Sequence, residues 1–590
     1  MTQRRPSEAD PVELTVLQRR LKSVTEEMGL ALLRTTRSPI LSEARDFVTG
    51  LYDARGRMLE QTEYIPILAF ALQPALEHVI AYFGDDLHPG DVILHNDVFS
   101  GGNQNNDVAV FKPVFDARRL IGWAACKGHQ ADIGGAVRGG YNPNAREVWQ
   151  EALRIPPLKV VERGKLRRDV WDMVFANVRL LIVQADIQAQ IGSCTVGERG
   201  LLEIAGRFGA SRLPALLEAL FDRTERMLGA EIEAIPDGRY EGRATAWDDG
   251  IAHDARMTIA ITVTVRGRRL TIDTSGSSPQ TPGFVNAPAS ATASALMLSL
   301  LMLVSPEIPH NAGLLRPLTI VNPPGSFLNA SFPAATTYGN TLAGPISDAL
   351  FRALAPALPE RACAGWNRAL NVAVSGFDRA RERPFTDIFF LSLKGGSGAV
   401  HGADGSDHIG LINCAGGILA QDYEMFEIHN PHLLRRHEYL RDSAGAGRWR
   451  GGLGIVSEIE LRGERVAAVV FGDGENDEAR AFGLFGGGSG ARNELTLTAP
   501  DGSVRRPASK EIVDGIAPGT VLRQVAGGGG GFGDPAEREV AAVQADVRAG
   551  VVSTDAARDD YRVAVDPATH AVDPGATAAL RRRARAGARR

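Results

Sequence analysis

At 590 residues the chain is too long for one ordinary domain and long enough for large cores, so two or three domains are expected. A net charge of −5, from 65 basic and 70 acidic residues, offers no polycationic face for nucleic acid or a membrane surface. Four scattered cysteines, Cys126, Cys194, Cys363 and Cys414, form no CxxC pair, which argues against a zinc ribbon or a secreted disulfide framework and for a reducing, cytoplasmic setting. The polar stretch 1–11 has no apolar core of the kind a signal peptide needs.

Residues 12–34 carry Leu14, Leu17, Leu21, Val24, Met28 and Leu32 at helical spacing, which predicts a helix with one apolar face. Residues 47–59 read as a hairpin turning at Asp53-Ala54-Arg55-Gly56, and 68–83 as a second helix. Strands are expected at 91–95, 107–115 and 121–126, joined by glycine-rich loops around Gly101-Gly102 and between Gly134 and Gly140. Residues 170–227 are mostly helical, and Pro236-Asp237-Gly238 punctuates the chain. Strands follow at 240–247, 257–265 and 270–274, then helices at 289–304 and 346–354. The apolar run 289–304 has 16 residues against the roughly 20 a membrane helix needs, so a buried core helix is expected there. Residues 450–524 are glycine-rich and strand-like; 537–548 and 553–561 read as short helices, the second capped by Ser553. The last ten residues hold six arginines, and a disordered basic tail is expected.

The resulting fold class is α+β: multidomain, with mixed sheets, packed helices and glycine-rich loops. The expected units are 1–235 with the candidate site, a central α+β domain at 236–440, a glycine-rich β segment at 441–535, and short helices with the tail at 536–590. The loops 134–140 and 486–490 are long, and a partner is expected to order them.

No GxxxxGK[ST] is present, so the chain carries no P-loop. The run Gly527–Gly531 resembles a phosphate loop, but no lysine follows it and Pro535 stops the next turn, so a structural loop is expected. The richest polar cluster is His95-Asn96-Asp97, Asn103-Gln104-Asn105-Asn106-Asp107 and His129-Gln130-Ala131-Asp132, at strand ends where a scaffold holds binding groups. A carboxylate and an imidazole from adjacent strands can share one cation. The same residues also serve as turn caps and hydrogen-bonded core groups, and spacing alone does not choose between the two.

Several segments resemble the hydantoinase B/oxoprolinase family. They are SPILSEARDF (38–47), PGDVILHNDVFSGGNQNNDVAVFKPVF (89–115), HQADIGG (129–135) and QEALRIPP (150–157). The likeness continues at Asp273-Thr274-Ser275-Gly276, 283–288, 308–313, Gly339-Asn340, DSAGAGRWRGGLG (442–454) and GGGGGFGDP (527–535). It implies a B-type subunit of an ATP-dependent hydantoinase or 5-oxoprolinase-like enzyme. Such a chain opens a cyclic amide (hydantoin, oxoproline or lactam) after an A-type ATPase subunit has phosphorylated it with ATP, in a hetero-oligomer. The alternatives are the alpha-type subunit of an acetone or acetophenone-like ketone carboxylase, favoured by Gln421-Asp422-Tyr423-Glu424-Met425-Phe426-Glu427, and a non-catalytic scaffold. The resemblance also implies a divalent metal (Zn, Mn or Fe) on Asp107, His129 and Gln104. Gln104 stands where a His is expected, and Leu68 is a second such departure. Asp107, His129 and Asp132 are the expected catalytic residues, and Asn96, Asp97, Asn340 and Asp273 the expected substrate contacts.

Overall fold

A computed structural model describes residues 10–587. Residues 1–9, where the sequence lacks a signal-peptide core, and the last three arginine-tail positions lie outside the described residues.

The first sheet has seven strands: β1 (Phe47–Asp53), β2 (Met58–Glu63), β3 (Val92–His95), β4 (Asp107–Asp116), β5 (Arg119–His129), β6 (Leu158–Glu162) and β7 (Lys165–Leu166). Their spatial order is β2-β1-β5-β4-β3-β6-β7, with antiparallel neighbours throughout. The helix Pro11–Thr35 buries the predicted stripe of Leu14, Leu17, Leu21, Val24, Met28 and Leu32. It packs on the helix Ile182–Phe208, which lies across β4 and β5. Close approach there is possible because Gly197 and Gly200 face Met28 and Val24; a Cβ at Gly200 would sit 2.4 Å from a Val24 methyl.

The second sheet comprises β8 (Gly238–Trp247), β9 (Arg256–Arg266), β10 (Arg269–Asp273) and β11 (Leu318–Val321), in the order β11-β10-β9-β8. β9 alternates buried and partly exposed residues along its length, as a one-sided sheet requires. The helix Ala343–Leu354 covers β8 and β9, and the helix Ala289–Leu301 packs on it. Ala289–Leu301 is buried at ten of its thirteen residues, as expected of a core helix. The stretch Pro66–Phe83 is long and apolar enough by composition to cross a membrane. It is divided into two helices, Pro66–Ala69 and Leu72–Phe83, and Ile67, Leu68, Leu72, Leu76 and Val79 are in the protein core.

The remaining strands are β12 (Leu370–Asp378), β13 (Arg383–Ile388), β14 (Leu433–Tyr439), β15 (Ile455–Leu461), β16 (Glu464–Gly472), β17 (Glu494–Thr498), β18 (Val504–Arg505), β19 (Lys510–Ile516) and β20 (Thr520–Ala526). They make two sheets, β13-β12-β16-β19 and β14-β15-β20-β17-β18. Strands on either side of residue 440 share both sheets, so the chain is continuous in packing across that position.

The glycine runs form a buried lattice. Gly529 N donates to Gly452 O, Gly530 N to Gly365 O and Gly531 N to Gly488 O, at 2.8–2.9 Å. A Cβ at Gly529 would lie 1.7 Å from Ser397 O, and one at Gly530 1.9 Å from Phe482 O. These N–H groups are taken up by carbonyls and the run is fully buried, so Gly527–Gly531 is a packing element rather than a phosphate cradle. The loop 486–490 is ordered by the same lattice, with Gly488 N on Ala446 O and Gly490 N on Ala481 O, which corrects the expectation that a partner must order it.

The tail expectation is also corrected, since Pro574–Gly587 is helical. Asp573 accepts from Ala576 N at 2.9 Å, Thr577 is buried, and an Arg581 guanidinium N–H donates to Arg538 O. The alanine-rich first turns supply helix propensity that the arginine count concealed.

Candidate functional site

Three neighbouring strands deliver acidic and imidazole groups to one end of the first sheet. In the register of β4 and β5, Asp107 is directly opposite His129. His129 N donates to the carbonyl of Asp46, the residue before β1, at 3.0 Å, which brings Asp46 to the same end. Cross-strand partners in a sheet stand close enough for side chains to meet, and here His129 Nδ1 lies 2.8 Å from Asp107 Oδ1. An ionised carboxylate has no proton to give, so the imidazole Nδ1–H is the donor.

The other Asp107 oxygen is held by two amides. Oδ2 accepts from Asn103 Nδ2 at 2.6 Å and from Asn340 Nδ2 at 2.8 Å. Asn340 Nδ2 also donates to Gln104 Oε1 at 2.8 Å, and its own oxygen accepts from Asn103 at 3.0 Å. The orientation of Asn103 is set from behind, where the Lys127 ammonium donates to its Oδ1 at 2.8 Å. Lys127 is 1% exposed, and burial draws its pKa down to about 7 against the pull of Asp107.

Asn340 arrives on a 3-10 turn, Thr337–Leu342, from the second sheet's side of the molecule. The buried Glu151 carboxyl anchors that turn by accepting from Thr336 N and Thr337 N at 2.8–2.9 Å. Burial nevertheless pushes Glu151 up to about 7.

These groups line a cavity of about 70 Å3, room for roughly five water molecules. Asp46, Gln104, Asp107, His129, Asn340, Thr341, Asn371 and Asn413 are its polar lining. Ile65, Ile67, Leu68, Ile388, Phe390 and Leu393 contribute hydrocarbon walls. Tyr141 stacks on Phe471 with ring centroids 3.9 Å apart and planes 8° from parallel, and faces the His129 ring at 6.1 Å. Burial raises the Asp46 carboxyl to about 7, with His129 opposing and Asp107 adding to the rise. For His129, burial lowers the pKa, but the hydrogen bond and charge of Asp107, with Asp46, outweigh it and the net shift is upward. Two buried polar atoms at this site, His129 Nε2 and Gln104 Nε2, have no partner among the described residues.

The expected site residues therefore separate. Gln104, Asp107, His129 and Asn340 converge, and Leu68 lines the same cavity. Asp132 stands apart: Oδ1 pairs with Arg179 Nη1 at 2.8 Å and Oδ2 accepts from Arg179 N at 2.8 Å, tying down the loop after β5. Asn96 is occupied by Asn105 O, Leu153 O and Ile155 N. Asp97 caps a 3-10 turn and grips Arg154, while Asp273 accepts from Ser275 N in a turn. Sequence reasoning placed Asn103 in the polar cluster without giving it a role, and missed Asp46, Lys127 and Tyr141. Asp46 and Asn103 lay inside the quoted motifs, but Tyr141 lay in a loop without pattern.

The donor set does not fit a three-ligand metal. Both Asp107 oxygens and Gln104 Oε1 already accept hydrogen bonds, leaving His129 Nε2 as the single free donor of that trio. Among the described residues no group of three or more His, Cys, Asp or Glu is arranged to hold an ion. A neutral amide also binds such metals more weakly than an imidazole.

A family model described as Hydantoinase B/oxoprolinase matches residues 10–535. The chain is 36% identical over 572 residues to the beta subunit of a caprolactamase from Pseudomonas jessenii, covering 94% of this chain and 96% of that one. It is 30% identical over 584 residues to the B-type subunit of a putative D-/L-hydantoinase from Pseudomonas sp. (strain NS671), at 94% and 95% coverage. The crystal structure of ATP-dependent caprolactamase from Pseudomonas jessenii superposes with a TM-score of 0.91 at 35% identity, over 97% of this chain and 100% of that one. A nucleotide-free acetone carboxylase structure also gives 0.91, at 22% identity over 98% and 83%, which is a likeness of fold. The chain belongs to the hydantoinase B/oxoprolinase family.

Proposed function

We propose that this chain is the cytoplasmic B-type subunit of an ATP-dependent cyclic-amide hydrolase, working with an A-type ATPase subunit that phosphorylates the amide oxygen. The observation that carries the reading is the buried His129–Asp107 pair, whose Nε2 has no partner among the described residues and which lines a cavity with hydrocarbon walls. Asp107 holds the Nδ1–H tautomer, so Nε2 is the nitrogen that takes a proton from water. The resulting hydroxide adds to the activated carbon, the ring C–N bond breaks as His129 returns its proton to the leaving nitrogen, and a second water hydrolyses the acyl phosphate so formed to a carboxylate and inorganic phosphate. The Gln104 amide N–H is a donor for the oxygen that water delivers to that carbon. No step runs through a metal. The cavity lining, among the described residues, includes no Lys or Arg to meet a phosphate. Support for a partner comes from relatives that are themselves named as subunits.

The test is co-expression with the ATPase subunit encoded in the neighbouring reading frame, purification of the hetero-oligomer, and an assay for ring opening coupled to ADP release. ATP-dependent fixation of bicarbonate onto a ketone, with no ring opening, would assign the chain to carboxylation instead.

A further inference from the structure

We propose that His408 and His437, which lie outside the cavity lining, are two ligands of a tetrahedral zinc-class ion whose remaining positions are filled by water. The proposal is independent of the hydrolytic reading above.

The two imidazoles meet nitrogen to nitrogen. His408 Nε2 and His437 Nε2 are 3.3 Å apart, with ring centroids at 5.3 Å and planes inclined by 71°. A direct hydrogen bond from a ring N–H would ordinarily be shorter, within about 2.7–3.2 Å. Two imidazoles bound at about 2.0–2.1 Å to one tetrahedral ion place their nitrogens about 3.3–3.4 Å apart. Adjacent ligands of a square-planar ion would sit about 2.9 Å apart, so the spacing selects a zinc-class ion over Cu2+ or Ni2+.

The surroundings prepare that arrangement. On β14, His437 lies opposite Ser457 of β15, and its Nδ1 is 2.8 Å from Ser457 Oγ. With Nδ1–H donating to the hydroxyl, Nε2 keeps the lone pair that a metal takes, and such an outer contact is usual for a ligating histidine. His408 has φ +49°, a left-handed conformation that L side chains adopt at a cost. Its neighbours hold it there: Asp407 Oδ1 accepts from Leu453 N at 2.6 Å, and Ile409 N donates to Gly395 O at 2.9 Å. Strain kept at a position fixed from both sides points to a function for the side chain it carries. Burial lowers the pKa of both imidazoles, helped by the Lys394 charge at His408 and by His408 at His437, which falls to about 4. Both are therefore free bases at neutral pH, the form that binds a metal. Lys394 is the cation that opposes an ion here, and its ammonium is occupied by Ile418 O at 2.8 Å. An ion so held would pin His408 to the edge strand β14, and the segment that follows His408 brings Leu411, Asn413, Cys414 and Ile418 to the cavity wall.

The test uses the untagged full chain, stripped with EDTA and dialysed, then titrated with Zn2+ by calorimetry and with Co2+ by visible absorption. The expected result is a saturable equivalent that survives His129→Gln and shows the intense absorption of tetrahedral Co2+. His408→Asn keeps the left-handed backbone, which Asn tolerates, and should lower affinity at least about a hundredfold. His437→Gln should do the same, while Ser457→Ala, which removes only the outer contact, should cost about tenfold. Zn2+ should raise the melting temperature of the wild type and leave that of His408→Asn unchanged. No saturable binding up to about 100 μM Zn2+, an octahedral Co2+ spectrum, or an equivalent indifferent to either histidine substitution overturns the proposal and leaves the pair a plain hydrogen bond.

Discussion

Asp107→Asn separates what the carboxylate does for stability from what it does for chemistry. The carboxylate accepts three hydrogen bonds, from His129, Asn103 and Asn340, with no exposure of its side chain. An amide of the same shape must turn its NH2 toward one side. Facing Asn103 and Asn340, it would oppose two donors and leave buried N–H groups unpaired, at about 1–3 kcal/mol each. Facing His129, it meets a single nitrogen that can become an acceptor by moving its proton to Nε2. The second arrangement costs least, so stability should fall by only about 1–2 kcal/mol, the loss of one charge-assisted bond. Activity suffers far more, because a protonated Nε2 cannot take a proton from water; the wrong tautomer in comparable hydrolytic sites lowers kcat by roughly 10^4. The assay is ring opening by the reconstituted hetero-oligomer, with urea denaturation of the isolated chain and 15N shifts of His129 reporting the tautomer. Retention of more than about a tenth of kcat, or an unchanged Nδ1–H tautomer, would refute the reasoning.

Because Asp107 on β4 and Asp46 beside β1 raise the His129 pKa over the opposing effect of burial, its base form is lost as pH falls through a value above 6.5. The acid limb of the kcat profile should lie there, broadened by Asp46 titrating near 7, and a limb below about pH 6 would contradict it. Gly529→Ala puts a methyl within 1.7 Å of Ser397 O and should cost about 4 kcal/mol or more, or prevent soluble expression. Gly502→Ala, where nothing lies within 4 Å but φ is +85°, should cost only about 1–2 kcal/mol. Gln104→His replaces an occupied amide with an imidazole beside His129 and should raise Zn2+ affinity at least about tenfold by calorimetry. The isolated chain should hydrolyse no ATP, and turnover that tracks this chain through a final chromatographic step would defeat the two-subunit scheme.

Much of the secondary structure was legible because periodicity reports burial directly. The stripe from Leu14 to Leu32, the Asp53–Gly56 turn and the Ser553 cap are local patterns with local causes. The pairing of Asp107 with His129 was legible too, since both close strands that neighbour each other. What escaped depends on chain segments far apart. Asn340 reaches Asp107 across 233 positions, and Lys127, set in an apolar strand, gave no sign that its ammonium would lock an asparagine. Asp132 misled for the same reason: its motif suggested chemistry, and only its bond to Arg179 47 residues on revealed a loop anchor. The tail misled because a run of arginines hid an alanine-rich helix behind a good cap.

The glycine lattice also dictates when the molecule can be finished during synthesis. Its members come from Gly365 and from four further stretches, near residues 395–398, 445–454, 483–490 and 527–531, and the last of them supplies Gly529, which bonds two others. Trp449 and Leu484, from two of the earlier stretches, pack in one apolar cluster with Phe532, which follows directly on the last of them. Closure waits until residue 531 has left the ribosome. A premature stop shortly before residue 527 would therefore yield a product whose first sheet is complete but whose centre cannot close, a substrate for proteolysis rather than a smaller functional protein.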